Sequence, residues 1–138
     1  MIILDDRYGY NFDINILEKI KNNLTKKEIE LIFMDNASIA EINEEFRGKN
    51  SATDVLSFPL EDMPNSPIGS VVINVDCAKE KALELGHKID DEIVLLFIHG
   101  LLHLLGFDHE CDDGEMRERE KQLIEEFSLP KSLILRSE

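Results

Sequence analysis

The chain has 138 residues and a formal net charge of −14, with 43% hydrophobic and 32% charged residues. This composition is typical of one folded, soluble domain with a sizeable core. The charge argues against broad, charge-driven binding to nucleic acid, because contacts to phosphates need lysine and arginine, but it leaves room for a local basic groove. The sequence lacks an apolar run of about 18 residues and signal-peptide features at its start, so we expect no membrane span and no secretion. Two cysteines, Cys77 and Cys111, fit a reduced, cytoplasmic setting.

The hydrophobic patterns predict about four strands and about five helices. In chain order they are a strand over 1–6, a helix over 13–24, a strand over 28–34, a helix capped by Asn36 or Ser38 and ending near Phe46, strands over 54–58 and 69–75, and helices over about 76–86, 92–105 and 113–127. Asp90 or Asp91 is expected to cap the fourth helix, which is apolar on nearly all sides and should be central and buried. We therefore predict an α+β fold with a single mixed β-sheet packed against the helices.

Three of the four histidines lie in FIHGLLHLLGFDHE, residues 97–110, with the spacing H-x3-H-x5-H. His99 and His103 are four residues apart in a predicted helix, so they share one face. Gly106 is expected to end that helix, which would let His109 reach the same point from the loop. Three neutral imidazoles with an open fourth position are the ligands of a catalytic zinc rather than a structural one. Buried histidines that only hydrogen-bond to neighbours are the alternative, but the spacing favours one zinc ion per chain.

The same spacing occurs in the metzincin peptidases, H-E-x-x-H-x-x-G-x-x-H. Where those enzymes carry the glutamate that acts as general base, this chain has Gly100, which cannot accept a proton. Ordinary peptide hydrolysis is therefore disfavoured. A glycine inside a helix costs about 1 kcal/mol relative to alanine, so we expect another part of the chain or a ligand to pack closely there.

With these histidines in view, the chain resembles the YbeY family, single-strand-specific endoribonucleases of ribosomal RNA maturation and ribosome quality control. Three segments carry the resemblance: the histidine segment, FRGKNSATDVLSFP at 46–59, and residues 68–100. The chain departs from the family's usual pattern at Asn50, Ala52 and Ser70, where an acid, a proline and an aspartate are common. These departures concern the rigidity of the loop and fine contacts to substrate.

The resemblance implies that His99, His103 and His109 are the zinc ligands and that Arg47 acts on the scissile phosphate. Arginine suits this role because its guanidinium binds phosphate bidentately and stays charged. The resemblance also implies that one strand lines the cleft with Thr53, Asp54, Ser57 and Phe58.

The general base is left open by the sequence. Asp108 is interpreted as support for a ligand histidine and Glu110 as a surface residue. Asp54 either orients a ligand or Arg47, or simply begins a strand. Lys49, Lys79, Lys81 and Lys88 are further candidates for contacts to RNA, although the last three are also typical of a solubilising helix surface.

We therefore predict a single metal-dependent hydrolase domain over residues 1–138, a zinc-dependent endoribonuclease of single-stranded RNA. The resemblance implies a role in 16S rRNA maturation, with the small ribosomal subunit or its proteins as partners. Two alternatives stay open: a zinc metallopeptidase-like hydrolase, and a non-catalytic ribosome assembly factor whose metal only stabilises the fold.

Overall fold

The computed structural model describes residues 1–49, 51–60, 66–107 and 114–130. Within these ranges the chain forms four strands and five helices, which confirms the predicted α+β composition. The strands are β1 (Ile2–Asp6), β2 (Ile29–Met34), β3 (Val55–Pro59) and β4 (Gly69–Asn74). The helices are α1 (Asn15–Leu24), α2 (Asn36–Arg47), α3 (Val75–Leu85), α4 (Ile89–Leu104) and α5 (Glu115–Glu126).

The described strands form one mixed sheet in the order β1-β2-β4-β3. Strands β1, β2 and β4 run parallel to one another, and β3 pairs antiparallel with β4. Strand β3 therefore lies at one edge of the sheet, where Pro59 can end it without removing an interior ladder hydrogen bond. The mixed sheet agrees with the prediction. Its edge strand β3 borders the cavity that contains the predicted site residues Arg47, His99 and His103.

Alternation along the strands gives the sheet two covered faces. Leu31 and Ile73 lie in the larger hydrophobic cluster, together with residues of α1, α3, α4 and α5. Ile32 and Val72 point to the opposite face and form a smaller cluster with Ile39 of α2. Helix α2 therefore packs on the side of the sheet opposite to α4.

Helix α4 is the central helix that the sequence predicted. Ten of its sixteen residues are buried, and they surround the helix rather than forming one stripe. It packs against β3, β4, α1, α3 and α5. His99 and His103 lie in its last turns, so the fold itself fixes the position of both imidazoles. No helix within the described residues is both long enough and apolar enough to cross a membrane.

Two predicted helix caps are wrong. Helix α2 is capped by Asp35, whose carboxylate accepts a hydrogen bond from the Ser38 backbone at 2.8 Å, and not by Asn36 or Ser38. Helix α4 begins at Ile89, so the two aspartates expected to cap it lie inside its first turn. Acidic residues favour the first turn of a helix as well as its cap, because both positions lie near the positive end of the helix dipole.

Candidate active site

A cavity of about 670 Å³ opens between the end of α2, strand β3 and the last turns of α4. Three segments of the chain contribute residues to its walls. They are Phe46, Arg47, all of residues 53–59, His99, His103 and Leu104. Three predicted site residues, Arg47, His99 and His103, therefore share one cavity with Thr53, Asp54, Ser57 and Phe58.

The two histidines of α4 stand one helical turn apart, as their spacing predicted. Their ring centroids are 4.7 Å apart and the rings are inclined at 70°. The Nδ1 atom of His99 lies 3.1 Å from Oε1 of Glu120 on α5, and only 1% of the Glu120 side chain is exposed. A histidine that donates from Nδ1 to a carboxylate keeps its lone pair on Nε2, which is the form that a metal ligand requires.

The third predicted ligand, His109, lies outside the described residues, as do Asp108, Glu110 and Cys111. Among the described residues, no three histidine, cysteine or acidic side chains are grouped as a metal site would need. The described part nevertheless fits the donor set of a zinc site. It offers two imidazoles on one helix face, and a buried carboxylate orients one of them.

Glu120 was not among the predicted site residues, although the sequence carries a signal for it. Helix α5 buries Met116, Leu123 and Ile124 on one side, and Glu120 lies on that same side. An acidic residue in the middle of an apolar face needs a partner, because burying an unpaired charge is costly. The pattern therefore indicates that Glu120 faces the interior, on the side where α5 packs against α4.

Gly100 is explained by the packing of α4 on the sheet. A Cβ atom added there would lie 2.7 Å from Cγ1 of Val71, 3.1 Å from its Cγ2 and 3.2 Å from Oγ of Ser57. The Ser57 hydroxyl also donates a hydrogen bond to the Gly100 carbonyl at 3.0 Å. The glycine therefore lets the helix approach both strands, and the space that a metzincin glutamate would need is already filled.

Arg47 is the last residue of α2, and the backbone around it is held from both sides. Gly48 ends the helix in the left-handed conformation, with φ of 69°. Asn43, only 4% exposed, donates from its side chain to the Ser51 carbonyl at 2.8 Å, which holds the returning loop against the helix. Arg47 is exposed, and within the ranges that the structure describes no carboxylate forms an ion pair with it. Its guanidinium can therefore face an anionic ligand.

The chain that enters β3 is positioned by Asn74, a residue that the sequence pattern predicts only as part of a strand. Asn74 is 1% exposed, and its amide donates to the Thr53 carbonyl at 3.1 Å and to Oδ1 of Asn36 at 2.6 Å. Its backbone N–H donates to the Asp54 carbonyl at 2.9 Å, and its side-chain oxygen caps α3 by accepting from Cys77 at 3.1 Å. Through its side chain and its backbone, this one buried residue fixes the wall that carries Thr53 and Asp54.

Residues 11–128 match the family model for the endoribonuclease YbeY. This chain belongs to the YbeY family. It is 59% identical to the endoribonuclease YbeY of Nautilia profundicola over 138 residues, covering 100% of this chain and 99% of that protein. It is 52% identical to the corresponding protein of Helicobacter pylori, again over 100% of this chain and 99% of the relative. A solution structure from Thermotoga maritima shares the fold with a TM-score of 0.67 and 33% identity, covering 92% of this chain and 89% of that one.

Three basic residues that the sequence singled out in this YbeY-family chain, Arg47, Lys79 and Lys81, divide between the cavity and the surface. Nζ of Lys79 lies 4.7 Å from the ring centroid of Tyr8, and Lys81 pairs with Glu84 at 3.5 Å. Neither lysine lines the cavity. Among the described residues at its walls, Arg47 carries the fixed positive charge. Among the described wall residues, Arg47 is therefore the side chain that can attract a phosphate by charge.

Proposed function

We propose that this chain is a zinc-dependent endoribonuclease that hydrolyses phosphodiester bonds of single-stranded RNA. The observation that carries the proposal is the shared cavity, in which Arg47 faces the same space as His99 and His103. The names of its relatives, endoribonuclease YbeY, support the same reaction.

In this proposal His99, His103 and His109 hold one zinc ion. When bound, zinc would polarise a phosphoryl oxygen and make water a better nucleophile. Glu120 orients the His99 ring and keeps its proton on Nδ1, which leaves Nε2 for the metal. Because Glu120 is buried, its carboxylate is shielded from water and holds the ring in one position.

Arg47 has the role of phosphate-binding residue. Its guanidinium would donate two parallel hydrogen bonds to the non-bridging oxygens of the scissile phosphate. These bonds strengthen as negative charge builds on the oxygens in the transition state, so they favour the reaction and not only binding. Asp54 lines the same cavity and is the acidic candidate there for orienting Arg47 or a ligand.

The peptidase alternative receives no support from the site. A glutamate at position 100 would collide with Val71 and Ser57, so the fold provides no room for the usual general base on α4. The assembly-factor alternative differs from the proposal only in turnover, so a cleavage assay separates the two.

We propose residues 1–138 as one hydrolase domain that acts in the cytoplasm on ribosomal RNA, in 16S rRNA maturation, together with the small ribosomal subunit or its proteins. The net charge of −14 supports modest affinity for naked RNA, because repulsion from the rest of the surface opposes the contact at Arg47. Presentation of the RNA by a ribosomal particle would offset that repulsion.

The test is cleavage of an end-labelled single-stranded RNA, a matched duplex and a generic peptide, before and after chelation and zinc addition. The proposal expects cleavage of the single strand, its loss on chelation and its return with zinc. Cleavage of the peptide instead would indicate a peptidase. Zinc that raises the melting temperature without turnover on naked or ribosomal RNA would favour the assembly factor.

A further inference from the structure

Two phenylalanines, one exposed and one half-buried, pack together at the rim of the cavity. Phe46, in the last turn of α2, is 65% exposed, although a phenylalanine normally contributes to a core. Its ring centroid lies 5.5 Å from that of Phe58 on β3, with the planes inclined at 61°. Both rings line the cavity that contains Arg47 and the two histidines. We call Phe46 and Phe58 the aromatic shelf.

The shelf is held in place before any ligand arrives. Phe58 is half-buried and packs against the smaller hydrophobic cluster, together with Ile42 of α2. The edge-to-face contact with Phe58 in turn supports Phe46. The hydrogen bond from Asn43 to Ser51 fixes the end of the helix from which Phe46 projects. The Phe46 ring is thus a supported surface whose outer side faces solvent.

The shelf adjoins the phosphate-binding group directly. Phe46 and Arg47 are consecutive residues at the end of α2 and both face the cavity. A ligand that places a phosphate on the guanidinium therefore carries its neighbouring groups past the Phe46 ring. In a single-stranded nucleic acid those groups include an unpaired base, whose flat apolar face stacks on aromatic side chains.

We propose that the aromatic shelf is the binding site for an unpaired nucleobase next to the phosphate held by Arg47. The proposal rests on the function proposed above and adds a source for its preference for single strands. A base in a duplex is already stacked and paired, so it cannot lie on the shelf without being unstacked. The stack also works through dispersion and burial rather than charge, which suits a protein of net charge −14.

A fluorescent probe tests the contact without cleavage. The chain contains no tryptophan, so Phe46→Trp introduces a single indole at the shelf. In a His103→Ala background, we expect a single-stranded RNA oligonucleotide to quench its emission and the matched duplex to leave it unchanged. Anisotropy of a labelled RNA reports binding in the same samples. Binding of the single strand without quenching, or equal quenching by the duplex, would overturn the proposal.

A second experiment measures the coupling between ring and base. The substrates are an RNA and its copies with one abasic site at each position flanking the cut. We expect Phe46→Ala to lower kcat/KM on intact RNA by roughly 5- to 150-fold, the range of one base–aromatic stack. The parent should lose a similar factor on one abasic RNA, whereas Phe46→Ala should cut that RNA and the intact RNA at equal rates.

Phe46→Leu is the matched control, because it keeps an apolar side chain without a flat ring. It should behave like Phe46→Ala, and Phe46→Tyr should behave like the parent. All of these variants should fold, since Phe46 is mostly exposed. Cleavage with no coupling between Phe46 and any base would overturn the shelf alone and would point to another use of this surface, such as docking of a protein. If the parent neither binds nor cuts RNA, naked or ribosomal, the proposed function fails and the shelf proposal fails with it.

Discussion

Substitution of Gly100 by alanine tests how α4 is seated on the sheet. Two effects oppose each other. Alanine gains about 1 kcal/mol of helix propensity over glycine. The new Cβ, however, would lie 2.7 Å from Cγ1 of Val71, a fully buried β-branched side chain with little rotamer freedom. Overpacking of a core costs typically about 1–3 kcal/mol. We expect Gly100→Ala to lower the free energy of unfolding by about 1 kcal/mol.

The sign of the effect should reverse when the obstacle is removed. Val71→Ala deletes both methyl groups that the new Cβ would meet and destabilises the protein by leaving a cavity. In that background Gly100→Ala should stabilise the protein by up to about 1 kcal/mol, because only the 3.2 Å contact with Oγ of Ser57 then opposes the gain in helix propensity. The interaction energy between the two sites should therefore be about 2 kcal/mol, within the range of contacting residues.

The assay is urea unfolding of the four proteins, all loaded with the same concentration of zinc because a bound ligand adds to stability. Zinc affinity is measured in parallel, since a displaced α4 would also move His99 and His103. An equal effect of Gly100→Ala in both backgrounds would refute the packing explanation, and the glycine would then need another cause.

Three further predictions concern single side chains. Glu120→Gln should weaken zinc binding by about 10- to 100-fold, because the amide is a poorer acceptor for the imidazole N–H; competition with a chelator measures this, and unchanged affinity would contradict the orienting role. Arg47→Ala should keep the fold and the zinc but lose most RNA cleavage, with Arg47→Lys between the two; activity within about threefold of the parent, roughly 0.7 kcal/mol of barrier, would remove Arg47 from the mechanism. Burial and a hydrogen bond to Asp90 raise the pKa of Tyr10 from 10.0 to about 12. In a Tyr8→Phe variant, which removes the other tyrosine, ultraviolet absorbance should show the ionisation of Tyr10 with a midpoint near pH 12. Adding Asp90→Asn should lower that midpoint. Because the pKa of Tyr10 is higher in the folded than in the unfolded chain, the protonated phenol stabilises the fold. That stabilisation is complete below pH 10 and is lost as the pH rises to about 12.

Local patterns in the sequence were sufficient to predict the elements of the fold. Each strand and helix has its own period and ends near its own turn residues, as at Gly86, which closes α3 in the left-handed conformation. The strand order β1-β2-β4-β3 could not be predicted from the sequence, because strand pairing joins residues far apart in the chain and many orders satisfy the same hydrophobic periods. The cap Asp35 was missed because several neighbouring polar residues satisfy the same capping rules. Lys88 was missed because it precedes α4 without a side-chain capping hydrogen bond, which no capping rule predicts.

The candidate site likewise contains some features that local sequence patterns predict and others that depend on the three-dimensional fold. The spacing of His99 and His103 is a local property of one helix, so the sequence predicted their common face. The supporting residues act across the fold. Glu120 reaches a histidine from another helix, Asn74 holds a loop twenty-one residues away, and Val71 makes Gly100 necessary. Such roles depend on three-dimensional neighbours. The sequence signals for them were an acidic residue in an apolar stripe and a glycine inside a helix, and neither signal identifies the partner residue.

The most direct measurement is cleavage of an end-labelled single-stranded RNA by the zinc-loaded protein and by His103→Ala purified in parallel, with the zinc content of both determined by elemental analysis. We expect about one zinc per chain and endonucleolytic products for the parent, and loss of both for the variant. Equal cleavage by the two proteins would assign the activity to a contaminating nuclease. A parent that binds no zinc even when zinc is added, or a zinc-loaded parent that cuts neither naked nor ribosomal RNA, would contradict a zinc-dependent endoribonuclease.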